Sequence, residues 1–354
     1  MISNDEKYMK RALQLARNGE FYASPNPMVG AVIVHNDTII GEGYHRRCGE
    51  GHAEVNAVAS VSNPELLPHS TIYVTLEPCS HYGKTPPCAQ LIIDKRIRRV
   101  VIGCLDPFEK VSGNGVKMLR NAGIEVTTRV LEKECRQLNA KFMTAHALKR
   151  PFVTLKWAQS ADGYIDHHRD ADIRPALFST PLTSVLTHQL RSVHDAIMVG
   201  SGTIIADNPH LGCRLWHGRS PRRVIIDRRG IIPATSQALS IKSPSTLYLT
   251  NTQRRDIPTE ATTIHVGEDC SISQILSILY QQGITSLLVE GGRNLLQSFI
   301  NSGLWDVARI ESSSTKLVEN GSCKAPILNT PPSHSQKIGE NNLYFYFNNE
   351  LLQV

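Results

Sequence analysis

Apolar positions recur along this chain with two periods that take turns. Tyr8, Met9, Leu13 and Leu15 are spaced as one face of a helix and are interrupted by Asp5, Glu6, Lys7, Lys10 and Arg11, so residues 5 to 17 read as an amphipathic helix stopped by Asn18-Gly19. Val29 to Val34 and Thr38 to Gly43 flank Asn36-Asp37 and read as a hairpin. A helix begins near His52 with Val55, Val58 and Ala59 on its expected buried side, and Asn63-Pro64 ends it. Thr71 to Leu76, Val100 to Ile102 and Ile124 to Thr128 are strand-like; Cys88 to Lys95, Val116 to Asn121 and Glu132 to His146 are helix-like. This order predicts an α/β domain whose later half holds a parallel sheet.

Pro151, after Leu148-Lys149-Arg150, marks a restart of the pattern and divides the chain into residues 1–147 and 148–354. Strands are expected at Phe152 to Trp157, Ala196 to Val199, Val224 to Ile226, Leu247 to Leu249 and Leu287 to Glu290. Helices are expected at Ser184 to Arg191, Ile272 to Gln281 and Leu295 to Ile300, which makes a second α/β domain. Residues 312–342 are rich in Ser, Asn, Gly and Pro and read as long loops before a last strand, Leu343 to Phe347.

Length and composition change this picture little. At 354 residues the chain exceeds one ordinary core, so two domains can fold by burial without metal or disulfide. The formal charge of +6 is spread instead of gathered in a run, which favours small phosphorylated ligands over nucleic acid. No stretch approaches the roughly 18 apolar residues of a membrane span, and the first helix lacks the apolar core of a signal peptide; the reading is cytoplasmic. Eight cysteines (48, 79, 88, 104, 135, 213, 270 and 323) form no regular disulfide framework, so Cys79 and Cys88 read better as metal ligands and Cys104 as a buried thiol.

The chemistry concentrates between Gly51 and Cys88. His52-Ala53-Glu54, Pro78-Cys79 and Pro87-Cys88 offer one imidazole and two thiolates, three ligands that leave a tetrahedral zinc ion one open position. Helix starts at His52 and Cys88 favour thiolate and orient the ligands. Glu54 lies too near His52 to share the metal and is left to carry protons between the attacking water, the ring nitrogen and the departing ammonia. A structural zinc site would need a fourth ligand; His81 is nearest but sits inside the Cys79 to Cys88 loop.

In the second half no Gly-x-Gly-x-x-Gly follows a strand: Gly41-Glu42-Gly43, Gly113-Asn114-Gly115 and Gly200-Ser201-Gly202 all lack the third glycine. Val199-Gly200-Ser201-Gly202-Thr203 and Val289-Glu290-Gly291-Gly292-Arg293-Asn294 are strand-to-helix turns in which glycines serve either a phosphate or close packing alone.

Eight residues separate the two cysteines, against two in the nucleic-acid and nucleoside deaminases. The run Thr75-Leu76-Glu77-Pro78-Cys79-Ser80-His81-Tyr82-Gly83-Lys84-Thr85-Pro86-Pro87-Cys88, with Pro25-Asn26-Pro27-Met28-Val29-Gly30 and His52-Ala53-Glu54-Val55 upstream, closely resembles the bifunctional deaminase/reductase family of riboflavin biosynthesis. In the second half Leu155-Lys156-Trp157-Ala158-Gln159-Ser160-Ala161-Asp162-Gly163, the Gly-Ser-Gly-Thr turn, Ile205-Ala206-Asp207-Asn208-Pro209, Val224-Ile225-Ile226-Asp227 and Glu290-Gly291-Gly292 resemble its reductase half.

The resemblance implies a cytidine-deaminase-like three-layer α/β domain followed by a dihydrofolate-reductase-like one. It implies zinc on His52, Cys79 and Cys88, Glu54 as the catalytic acid/base, and 2,5-diamino-6-(5-phosphoribosylamino)pyrimidin-4(3H)-one as the molecule deaminated. Asn26, His45, Lys84, Thr85 and Asp106 fall where the family holds base, ribose and phosphate; Lys156 and Asp207 are candidates for substrate contact or proton handling in the second step, and Arg191, at a helix end, either holds the phosphate or satisfies carbonyls. NADPH is implied at Gly200, Gly202, Thr203, Asp227, Arg228, Glu290, Gly291 and Gly292, where a guanidinium of Asp227-Arg228-Arg229 suits a 2′-phosphate. A dimer is implied. The chain departs from the family at Phe108, where Asn is frequent, at Leu177-Phe178-Ser179-Thr180, at Asn208 and after Glu311. Two other readings are a deaminase with a non-catalytic binding or oligomerisation domain and a nucleic-acid-editing zinc deaminase.

Overall fold

The computed structural model describes residues 3–82, 86–107, 113–168, 175–319 and 321–352. These divide into two units, Met1–Lys149 and Arg150–Val354.

The first unit opens on α1 (Asn4–Ala16), started by Ser3, whose hydroxyl accepts from the Glu6 amide while the Glu6 carboxylate returns the bond. The hairpin follows as β1 (Gly30–His35) and β2 (Thr38–Tyr44), and Asn36 and Asp37 both take positive φ at its turn. Then come α2 (Ala53–Ala59), β3 (Thr71–Leu76), α3 (Cys88–Asp94), β4 (Arg99–Cys104), α4 (Asn114–Asn121), β5 (Glu125–Thr127), α5 (Glu132–Leu138) and α6 (Ala140–Leu148). The sheet runs β2-β1-β3-β4-β5, with β1 antiparallel to both its neighbours and β3, β4 and β5 parallel.

Alternation in the strands gives three layers. Ala31, Ile33, Ile72, Val74, Val100 and Ile102 face Ala53, Ala57, Ile92 and Val116 of the helices on one side. Tyr73 points the other way, its ring 5.2 Å from that of Tyr8 on α1. Helices approach strands at glycines: a Cβ on Gly30 would lie 2.0 Å from the Ala12 carbonyl oxygen, and one on Gly43 would lie 2.3 Å from the Ala57 nitrogen.

Two expectations change here. Helix α2 buries Ala53, Glu54 and Ala57, while Val55 is exposed, because the glycines of β2 bring Ala53 and Ala57 against the sheet and rotate the apolar valine outward. The single helix expected from Glu132 to His146 is two, broken at Asn139, whose side chain accepts the Met28 N–H at 2.8 Å and donates to the Met28 carbonyl at 2.9 Å. A long-range partner for both amide groups outweighs helix continuity.

The second unit holds β6 (Phe152–Gln159), β7 (Tyr164–Asp166), α7 (Pro181–Ser192), β8 (Ala196–Gly200), α8 (Ser201–Asp207), β9 (Arg222–Ile226), β10 (Leu247–Thr250), β11 (Thr262–His265), α9 (Ile272–Gln281), β12 (Ser286–Val289), α10 (Arg293–Ser302), β13 (Val307–Ser313), β14 (Cys323–Lys324), β15 (His334–Ile338) and β16 (Asn341–Phe347). Nine strands form one sheet in the order β11-β10-β9-β8-β12-β6-β13-β16-β15, parallel from β11 through β13 and antiparallel at β16 and β15. Residues 312–342 are therefore not all loop: β15 pairs with β16 as an edge strand.

Alternate residues of β6 and β13 part company. Val153, Leu155, Trp157, Ala308 and Ile310 enter the core beneath α9 and α10. Thr154, Lys156, Arg309 and Glu311 are also buried but face the other way, so an apolar sheet carries one polar patch. Charged residues at every second position hid β13 from a hydrophobicity reading.

Candidate functional site

Each chemical group of the first unit stands at the end of an element. His52 caps α2, Cys79 follows β3 after Pro78, and Cys88 opens α3. The His52 Nδ1 lies 3.6 Å from the Cys79 Sγ and 3.4 Å from the Cys88 Sγ, and the three donor atoms lie within 4.8 Å of one another. The Cys88 amide also donates to the Cys79 sulfur at 3.2 Å. A hydrogen bond from the Cys88 thiol, then His52, holds the Cys79 thiol down at about 4, and sharing that proton pushes Cys88 up. Two sulfurs and one imidazole nitrogen at this spacing are the donor set that zinc takes in catalytic sites, with one position left open.

Glu54, in the first turn of α2, is only 3% exposed. Burial first, then the Cys79 thiolate, pushes its carboxyl up to about 7. The imidazole of His45 stands edge-on to that of His52 at 5.4 Å, and its Nε2 is 3.2 Å from the Asn26 side-chain amide. Burial holds His45 below the ordinary histidine value, which leaves Nδ1–H to donate to the Gly51 carbonyl at 3.2 Å and Nε2 to accept from Asn26. Asn26, His45 and His52 are thus brought together. Lys84, Thr85 and Phe108 lie outside the described residues.

Asp106 is buried, and its amide donates to the Glu77 carboxylate at 3.4 Å. Glu77 was without a role in the sequence reading. Its two oxygens also accept from the amides of Gly113 at 2.9 Å and Val116 at 3.2 Å, tying the segment before α4 to the Pro78-Cys79 turn. A carboxylate just past a strand end, two residues before Cys79, was the available signal.

In the second unit a cleft of about 830 Å³ opens at the carboxyl ends of the parallel strands. Of the residues expected there, Lys156, Gly200, Gly202, Thr203, Asp207, Arg228, Glu290, Gly291 and Gly292 line it. Space is open where a Cβ of Gly200 or Gly202 would sit, and one on Gly292 would meet only the Thr203 hydroxyl, at 3.9 Å. No side chain caps α10, so its first amides face the cleft beside Arg293 and Asn294. Open glycine turns and an uncapped helix start fit a phosphate-bearing dinucleotide.

The surroundings of three expected side chains define what each is bonded to. Arg191 is not among the described residues that line the cleft; it donates to Glu290 through bonds of 3.0 and 2.6 Å and to the Gly212 carbonyl. Asp227 is fully buried and accepts from the Ile232 amide and the Tyr248 hydroxyl, so it shapes the turn after β9. Arg228 lines the cleft, but its guanidinium donates to the carbonyls of Glu268 and Cys270; exposed Arg229 next to it carries the available guanidinium.

Lys156 is 9% exposed. Burial holds its ammonium below the usual lysine range; Glu290 and Glu311 oppose that, and Arg191 and Arg309 add to it. Burial also raises the Glu290 carboxyl, but Arg191, Lys156 and His188 outweigh it and hold it below its ordinary value. His188 and Glu311 were missed. The Nδ1 of His188 accepts the Arg214 amide at 2.9 Å, and Glu311 accepts from Ser179, Thr183 and Asn341. Ser179, inside a segment that departs from the family, is thus a ligand of this carboxylate.

Three donors that could hold a metal beside a buried carboxylate in the first unit, and a dinucleotide-type cleft in the second, fit a two-domain enzyme of the zinc-deaminase and reductase class. Family comparison agrees: residues 2–104 match the cytidine and deoxycytidylate deaminase zinc-binding region, and residues 151–316 match the RibD C-terminal domain. The chain is 39% identical to the riboflavin biosynthesis protein RibD of Aquifex aeolicus, over 85% of each chain. It is 40% identical to that of Bacillus amyloliquefaciens, over 85% of this chain and 82% of the relative. The structure of Acinetobacter baumannii RibD superposes with a TM-score of 0.87 at 30% identity, covering 98% of this chain and 99% of that one. A diaminohydroxyphosphoribosylaminopyrimidine deaminase/5-amino-6-(5-phosphoribosylamino)uracil reductase of Thermotoga maritima gives 0.85 at 38% identity, covering 97% and 98%. The chain belongs to the RibD family of riboflavin biosynthesis, with both the deaminase and the reductase domain.

Proposed function

We propose that residues 1–147 deaminate 2,5-diamino-6-(5-phosphoribosylamino)pyrimidin-4(3H)-one hydrolytically and that residues 148–354 reduce the ribosyl group of the product to ribityl with NADPH. The observation that carries the first half is the convergence of His52, Cys79 and Cys88 within 4.8 Å beside buried Glu54. Zinc on those three donors supplies electrophilic activation of the attacking water. Glu54 takes the proton of that water and returns it to the ring nitrogen and then to the leaving amine, which departs as ammonia; a carboxyl poised near neutrality suits both directions. Asn26 and His45 orient the base, and Lys84, Thr85 and Asp106 hold ribose and phosphate.

In the second half the first turn of α10 and the Gly200 and Gly202 turn hold the phosphates of NADPH, which supplies the hydride. Arg229 takes the 2′-phosphate. Lys156 donates the proton that accompanies hydride arrival at C1′, Glu290 holds Lys156 in place, and Asp207 contacts the substrate. Eight free cysteines favour a reducing, cytoplasmic setting. Among the described residues no helix is long and apolar enough to cross a membrane. A homodimer is the assembly we assign.

The test follows ammonia and NADPH separately in one incubation of the zinc-loaded protein with the diaminopyrimidine phosphate. Ammonia is expected without NADPH, and NADPH consumption only after deamination. Absence of ammonia from folded, zinc-loaded protein overturns the first half; ammonia without NADPH oxidation overturns the second.

A further inference from the structure

Arg309 occupies an unusual place for an arginine. It lies in β13, an interior strand of the nine-stranded sheet, and is 7% exposed. One guanidinium nitrogen, Nη1, donates to the Leu186 carbonyl on α7 at 3.1 Å; Nε and Nη2 are buried and have no hydrogen-bond partner among the described residues. A half-paired buried cation is destabilising, and an apolar side chain of similar length would fold at least as well. Stability does not account for it.

Its neighbour does. In the parallel pairing of β6 and β13 the Cα partner of Arg309 is Lys156, so the two side chains leave the sheet on one face. Lys156 lines the cleft and is nine-tenths buried, and its ammonium makes no side-chain hydrogen bond among the described residues. The carboxylates in reach are already engaged: Glu290 by Arg191, and Glu311 by Ser179, Thr183 and Asn341. We infer that Arg309 is a positioning residue of the reductase, placed one strand away to make the Lys156 ammonium a ready proton donor. The inference rests on the reading of Lys156 as the donor given above.

The step balances simply. Bound NADPH would supply the hydride to C1′ of the imine, and Lys156 would give its Nζ–H proton to the nitrogen that takes up the C=N π electrons. Neutral lysine is then reprotonated from water. An ammonium that must give up its proton benefits from a second positive charge beside it, provided that burial keeps solvent from screening the pair. Burial and the two arginines already hold Lys156 below its usual range. The groups facing it are Glu290 beyond β12, Arg309 and Glu311 on β13, Arg191 and His188 on α7, and Asp166 and Asp207 across the cleft.

The experiment uses the full-length chain with Arg309→Met and, as the charge-retaining control, Arg309→Lys. Lys156 acts while protonated, so the reductase rate is present below its pKa and lost above it. Removing a positive neighbour raises that pKa, and the alkaline limb of the rate profile for NADPH oxidation should move up by about one pH unit in Arg309→Met. Arg309→Lys should keep the original profile. A second readout is independent of turnover: NMR titration of the Lys156 ammonium, assigned by its loss in Lys156→Met. Thermal unfolding and ammonia release report whether each variant is folded. Movement of both the NMR titration and the rate limb supports the inference. An unmoved NMR titration in folded Arg309→Met overturns it. A moved titration with an unmoved rate limb overturns instead the reading of Lys156 as donor.

Discussion

The deaminase triad and the reductase floor both gather charged and nucleophilic groups at strand ends, yet they solve burial differently. In the first, His52, Cys79 and Cys88 converge on one point and share protons among themselves, so their polarity is addressed to a cation. In the second, Lys156, Arg191, Glu290, Arg309 and Glu311 are spread over two strands, a helix and the turn after β12, and each carboxylate is matched by partners of its own. A convergent site stands or falls with one ion, whereas a distributed one is tuned by neighbours that never touch the ligand.

Glu54→Gln should break the comparison most sharply. Deamination should fall on the order of 10³-fold, with one zinc retained per chain by metal analysis and with reduction of externally supplied deaminated pyrimidine unchanged. Cys88→Ser should instead lose the metal. In the distributed site Glu290→Gln leaves Arg191 without its charged partner; the two side chains are 15% and 9% exposed. Chemical denaturation should show a loss of about 3 kcal/mol in the second unit, and NADPH oxidation should fall while ammonia release persists.

Asn139→Ala probes a residue that touches neither site chemistry. Loss of both bonds to Met28, two residues after Asn26, should cost about 2 kcal/mol of stability, with KM for deamination rising more than kcat falls. Smallest is the distinction between adjacent arginines. Arg229→Gln should weaken NADPH binding about tenfold and leave NADH binding unchanged, as read by nicotinamide fluorescence; Arg228→Gln should loosen the 268–270 turn without that selectivity.

How much of this could be read from the chain differs between the two units for the same reason. The triad lies within 37 residues, in motifs whose side-chain types have few other uses together, so the sequence reading named all of its members. Glu77 stood inside the same motif but carries no chemistry of its own; only the three amides that meet its oxygens give it a role. In the second unit the glycine turns and Lys156 were legible as strand-end features. Arg309 and Glu311 were not, because β13 alternates core residues with buried charges and reads as a polar stretch. Arg191 was legible as a cation but its engagement with Glu290, 99 residues away, was not.

By itself the sequence determined the two-domain α/β order, the three-donor set and the carboxylate beside it, since local periodicity and short-range spacing of unusual side chains encode them. Tertiary structure alone decided which cations remain available. Arg191 and Arg228 are engaged by a carboxylate and by carbonyls, Asp227 is turned inward by Tyr248, and Arg309 is set beside Lys156 by a strand pairing across more than 150 residues. Charge pairing depends on distance in space, and only the packed sheet sets that distance.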